Sequence, residues 1–94
     1  MYLVYATMTT KPGREAEFED LLAQLAGPTR AEPGALLYVF GRGQTAGSYM
    51  MAERYVDKQA FKAHFETAHF KQLGDKIADC LIGPPTMARC EELS

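Results

Sequence analysis

The run Leu36-Leu37-Tyr38-Val39-Phe40, followed closely by Tyr49-Met50-Met51-Ala52, constrains the fold most, because neither segment contains a polar side chain other than tyrosine. Successive residues of a strand point to opposite faces of the sheet, so a sheet with one wet face alternates apolar and polar. These segments do not. The first places Leu36, Tyr38 and Phe40 on one face and Leu37 and Val39 on the other. The second places Tyr49, Met51 and Tyr55 on one face and Met50, Ala52 and Val56 on the other. Both faces of the sheet therefore need covering. Gly43 to Gly47 is a short connection that makes the pair an antiparallel hairpin, with strands over Ala35 to Arg42 and Ser48 to Val56.

The flanking segments complete the pattern. Tyr2 to Thr9 reads as a buried strand. Thr10 and Pro12 suit a helix start, with Thr10 as the cap and Pro12 in the first turn. Phe18, Leu21, Leu22 and Leu25 then form one apolar stripe, and Gly27-Pro28 predicts the end or a kink of that helix. Glu32-Pro33-Gly34 is turn chemistry. Asp57 is a good cap for a helix that gathers Ala60, Phe61, His64 and Phe65 on one side. Thr67 suits a second cap, ahead of Phe70, Leu73, Ile77 and Leu81. Gly83-Pro84-Pro85 stops that segment, and Thr86 to Leu93 reads as a last strand. The order β-α-β-β-α-β predicts one α+β domain over residues 1–94, with a ferredoxin-like antiparallel sheet and helices on one face. The helices cover only one face. The other predicts a second copy of the chain, a homodimer.

Composition excludes several classes. A net charge of −2, with the basic residues scattered, gives nothing to track a phosphate backbone, so no nucleic-acid partner is expected. No apolar stretch reaches the ~18 residues of a membrane span. The first residues read as a strand rather than a basic leader, so a cytoplasmic location is expected. Cys80 and Cys90 lack a framework spacing and are expected to be free thiols.

The chemistry-bearing candidates cluster late in the chain. His64 and His69 are the only histidines, and each is followed by phenylalanine. Histidine changes charge near neutral pH, which suits a general base on a pocket wall. His64 equally suits a hydrogen-bonded core position beside Phe61 and Phe65. On one straight helix, His64 and His69 lie about 140° apart and share no face. They approach only if the helix breaks near Glu66 to Ala68, and no cysteine or acidic cluster at suitable spacing supplements them. No metal site is expected on that basis. Glu53 shares a face with Met51 and Tyr55. If covered, its carboxylate needs a partner such as Arg42, His64 or a ligand, and a structural ion pair is the alternative. Tyr38 and Phe40 suit either core packing or a pocket wall.

With these residues in view, the chain resembles the antibiotic biosynthesis monooxygenase domain family, the quinol-monooxygenase-like dimeric α+β barrels. The resemblance rests on Lys11-Pro12-Gly13 after a strand and on Glu32-Pro33-Gly34 leading to Tyr38. It rests further on Glu53-Arg-Tyr55-Val-Asp57 ahead of Ala60-Phe61, and on Ala63-His64 with His69-Phe70. It implies a ferredoxin-like fold, a homodimer whose sheets form a barrel, and a pocket between sheet and helices. The haem-degrading branch combines an asparagine, a tryptophan and a ligand histidine at positions that hold Ala6, His64 and Gly74 here, and this chain has no tryptophan. The expectation is a cofactor-independent monooxygenase acting on a small electron-rich aromatic, a quinol or phenol, with O₂. His64, His69 and Glu53 are the candidate catalytic residues. Tyr38, Phe40, Arg42, Tyr55, Phe61, Phe65 and Phe70 are the candidate substrate contacts. A non-catalytic dimeric ligand-binding module and an isomerase acting on a small signalling metabolite are the alternatives.

Overall fold

In the computed structural model, which describes residues 1–94, four strands and three helices follow one another. They are β1 (Tyr2–Thr9), α1 (Glu15–Arg30), β2 (Ala35–Arg42), β3 (Ser48–Tyr55), α2 (Lys58–His64), α3 (Ala68–Asp79) and β4 (Thr86–Glu91). The sheet order is β2-β3-β1-β4, antiparallel throughout, which is the ferredoxin-like arrangement. No helix is long and apolar enough to cross a membrane.

Burial follows the alternation of side chains. Along β1, Tyr2, Val4, Ala6 and Met8 are buried against the helices, and along β3 so are Tyr49, Met51, Glu53 and Tyr55. Phe18, Leu21, Leu22 and Leu25 of α1 fill the main core with Tyr38, Leu73 and Leu81. Phe18 is fully buried and meets the Tyr49 ring edge-on at 4.8 Å. Burying such a side chain contributes about 1.5–3 kcal/mol. Tyr2, Val4, Tyr55 and Phe61 form a smaller cluster at one end. The opposite face is bare in the single chain: Tyr5, Leu37, Val39 and Met50 stand between 42% and 60% exposed. Both cysteines are free thiols, Cys80 buried and Cys90 exposed.

Three local expectations are corrected. Thr10 does not cap α1. Its amide donates to the Gly47 carbonyl at 2.8 Å and it bridges to Leu81, so the sheet claims it, and α1 begins only at Glu15 after a turn with Gly13 at φ +85°. Pro28 does not end α1. The helix runs on to Arg30, held by buried Leu25, Ala26 and Thr29, and the Thr29 hydroxyl donates to the Leu25 carbonyl at 2.7 Å. Packing of the last turn outweighs the missing proline donor. Leu36 does not share a face with Tyr38: the register shifts between Ala35 and Leu37, and this bulge leaves Leu36 46% exposed.

Two joints matter for the site. Gly34 packs so tightly on α2 that a Cβ there would collide with the Ala60 Cβ, so glycine lets the Glu32–Gly34 turn touch the helix. Thr67 separates α2 from α3. Its hydroxyl donates to the His64 carbonyl at 2.7 Å and accepts from the Phe70 amide at 3.3 Å, so one side chain fixes the bend. Thr67→Ala is expected to cost about 1 kcal/mol, read from the urea midpoint, while Thr67→Ser keeps near wild-type stability. Equal losses in the two variants would show that the hydroxyl does not hold the bend.

Candidate functional site

Between the sheet and helices α1 and α3 lies a cavity of about 260 Å³. Its walls are almost wholly apolar, including Met8, Leu22, Leu25, Met51, Phe65 and Phe70. Met87 pairs with Ala6 across β1 and β4, yet is 42% exposed because no helix reaches that edge, so the cavity opens there.

Three polar residues interrupt the apolar wall: Tyr38, Glu53 and His64. Tyr38 on β2 lies directly opposite Glu53 on β3. The His64 ring at the end of α2 lies 5.5 Å from the Tyr38 ring and 5.1 Å from the Phe70 ring, centroid to centroid. Every sealed side-chain nitrogen and oxygen in the chain has a hydrogen-bond partner. The Tyr38 hydroxyl, Glu53 Oε2 and His64 Nε2 bond to no protein atom, so all three are open to the cavity.

The other side of each group is anchored. The Tyr55 hydroxyl donates to Glu53 Oε1 at 2.5 Å. His64 Nδ1 lies 2.8 Å from Glu32 Oε2, and His69 Nε2 lies 2.6 Å from the same oxygen. An ionised carboxylate only accepts, so both rings donate to it. In the neutral ring this fixes the proton of His64 on Nδ1 and leaves the Nε2 lone pair facing the cavity. Glu32, His64 and His69 come from the α1–β2 turn, the end of α2 and the first turn of α3. The bend at Thr67 brings His69 round, which corrects the expectation that the two rings diverge. Their acidic partner is Glu32, a residue that sequence reasoning placed only in a turn. The signal was an acidic side chain held just before Pro33-Gly34, combined with the cap at Thr67.

Burial raises the Glu53 carboxyl above its ordinary range, and the Tyr55 hydrogen bond offsets only part of the effect. Burial also pushes the Tyr38 phenol well up, so it stays a donor. At pH values between the ordinary and the raised one, the native chain holds a proton on Glu53 that the unfolded chain has released. Its contribution to stability is present below the usual carboxylate value of about 4.3 and is lost as pH rises through the raised value. Glu53→Gln cannot lose that proton. It is expected to gain stability relative to the parent as pH rises from about 4.3, measured by urea midpoints; a constant difference would refute the assignment.

The remaining sequence-named residues are placed elsewhere. Phe65 and Phe70 line the cavity with Tyr38, but Phe40, Arg42, Tyr55 and Phe61 do not. Tyr55 supports Glu53 from behind, and Phe61 packs on Tyr2, Tyr55 and Phe65. Phe40 is half-buried against the main core. Arg42 is mostly exposed and makes two 2.8 Å bonds to Glu19, because its strand ends beside α1 and away from the cavity. That pairing and the Tyr49 hydroxyl hold the Glu19 carboxyl down to about 2.

The ferredoxin-like fold of this chain has counterparts among known proteins. The chain belongs to the Antibiotic biosynthesis monooxygenase family, whose sequence pattern matches residues 1–76. It is 32% identical over 92 residues to the Bacillus subtilis protein named "Putative monooxygenase YcnE", with 97% of each chain covered. It is 30% identical over 83 residues to "Uncharacterized protein sll1783" of Synechocystis, covering 87% of this chain, and it spans only 56% of that protein's length. A solved structure from Caulobacter crescentus, described as a "putative antibiotic biosynthesis monooxygenase", superposes with a TM-score of 0.92 at 33% identity, covering 99% of this chain and 90% of that one. A Nitrosomonas europaea structure of the same description reaches 0.94 over the whole of both chains; at 21% identity it bears on the fold alone.

Proposed function

We propose that the protein is a cofactor-independent monooxygenase that oxidises a small electron-rich aromatic, a phenol or quinol, in the cavity between sheet and helices, and that it works as a homodimer. One observation carries the reading: an apolar cavity of about 260 Å³ whose open polar atoms are a base, His64 Nε2, and two groups whose charged forms burial disfavours, Glu53 and Tyr38. The volume is slightly below the ~300–1,000 Å³ of drug-sized sites and suits one or two rings.

The steps balance for a phenol. His64 Nε2 takes the hydroxyl proton, and Glu32 stabilises the imidazolium that forms. The Tyr38 hydroxyl hydrogen-bonds the phenolate oxygen. The phenolate passes one electron to O₂, and the aryloxyl radical and superoxide combine at a ring carbon. The peroxide takes up the proton from His64. Loss of water, made up of the outer oxygen, its proton and the hydrogen of the ring carbon, leaves a quinone. One oxygen atom stays on the ring and the other leaves as water. The apolar walls exclude bulk water from the radical pair. Family membership and the name of the Bacillus subtilis relative support the reaction class.

Oxygen uptake by the chelator-treated protein with a panel of phenols and quinols tests the proposal. Stoichiometric uptake with one or more of them is expected. Saturable binding of the panel with no uptake above the uncatalysed rate would replace the enzyme with a binding module.

A further inference from the structure

We infer that Glu32, His64 and His69 form a binding site for a divalent transition cation, and that occupancy reverses the hydrogen-bonding polarity of the cavity. Glu32, His64 and His69 each offer a ligand atom, and the three lie within 4.8 Å of one another. Two imidazoles and one carboxylate are a donor set that suits zinc, with a fourth position left for water. The donors belong to three separate elements, so none is constrained by helical spacing. The approach is open on one side: the side chains of Glu32 and His69 are 11% and 21% exposed, while that of His64 is 3% exposed and forms the inner wall.

The present contacts are hydrogen bonds of 2.8 and 2.6 Å. Zinc bonds of about 2.0–2.1 Å at tetrahedral angles need donor separations of about 3.3 Å. The two Glu32 contacts must therefore lengthen by about 0.5 and 0.7 Å, with the two ring nitrogens settling at the same spacing, adjustments that rotation of the partly exposed His69 and Glu32 side chains supplies. The ion displaces the two shared protons. His69 then carries its proton on Nδ1, toward solvent. His64, ligated through Nδ1, carries its proton on Nε2, because a neutral metal-bound imidazole keeps its hydrogen on the other nitrogen. The cavity then faces an N–H donor where it had a lone pair. The site and the tautomer change stand without the proposed reaction. Suppression of turnover by the ion rests on the reading of His64 as the base.

The test uses chelator-treated protein carrying Cys90→Ser, which removes the exposed thiol as a competing ligand. Zinc chloride is titrated calorimetrically, and the ring nitrogens of His64 are followed by ¹⁵N NMR. One zinc per chain is expected, with affinity falling at least tenfold in His69→Ala and in Glu32→Gln, both checked for folding by circular dichroism. His64 Nε2 is expected to change from an unprotonated to a protonated shift at one equivalent. Affinity unaltered in both variants would overturn the site. Zinc binding that leaves Nε2 unprotonated would overturn the switch. Failure of the phenol panel alone, with both readouts as expected, would leave the cation site standing and remove only the proposed reaction.

Discussion

His64→Ala is expected to lower turnover per folded molecule by about 10²–10⁴-fold, the range a positioned general base contributes. The residue is 2% exposed and bonded to Glu32, so a stability loss of about 1–3 kcal/mol accompanies it. Stability loss alone therefore does not identify a base. His64→Asn separates the two roles, because its amide can donate to Glu32 where Nδ1 did, yet it offers no basic nitrogen to the cavity. Turnover in His64→Asn is expected to be as low as in the alanine variant while much of the lost stability returns, read from oxygen uptake and urea midpoints on the same samples. Near wild-type turnover in His64→Asn would remove His64 as the base. His69→Ala is expected to have the smaller effect, since His69 reaches the cavity only through Glu32.

What the sequence made legible, and what it hid, follows from the range of the interactions involved. β2 over Ala35–Arg42 and the caps Asp57 and Thr67 are local features, and the structure has each where the residues pointed. The period-two alternation of β3 puts Glu53 on one face with Met51 and Tyr55, and the structure shows that this face is the covered one. The errors arose where tertiary contacts overrode local preference. Thr10 looks like a cap until Gly47 and Leu81 claim its backbone. Pro28 looks like a stop until the buried side of α1 carries the helix past it. Leu36 looks inward until a bulge turns it out.

The site shows the same division. The aromatic and histidine content of residues 61–70 is visible in the sequence, but one straight helix parts the two rings, and the Thr67 cap marks where a second helix begins. That cap is what turns His69 toward Glu32. Glu32 lies 32 residues before His64, and no spacing rule links a turn carboxylate to a helix that distant. The fit of Gly34 against Ala60 brings them together, and packing of that kind is not written in local periodicity. Arg42 illustrates the converse. A basic residue flanking an aromatic strand reads as a ligand contact until Glu19, on the neighbouring helix, pairs with it.

Sedimentation at micromolar concentration is expected to give two chains per particle, and Met50→Asp is expected to give one. Tyr5, Val39 and Met50 converge on the bare face, with Ala52 and Ala88 paired beside Tyr5. Side chains of this kind over adjacent strands exceed the scattered apolar surface a monomer carries. A second copy of the same face supplies a cover of matching composition, and a two-fold axis satisfies both chains at once. Met50 is 60% exposed in the single chain, so the substitution costs little within the monomer. In the dimer the same carboxylate is buried unpaired, once on each side of the axis, at several kcal/mol per charge. The substitution therefore acts on association and leaves the monomer fold intact. Retained helical and sheet signal with halved mass is the expected combination. A parent chain that sediments as a soluble monomer, or a Met50→Asp variant that remains dimeric, would show that this face is not where two copies meet.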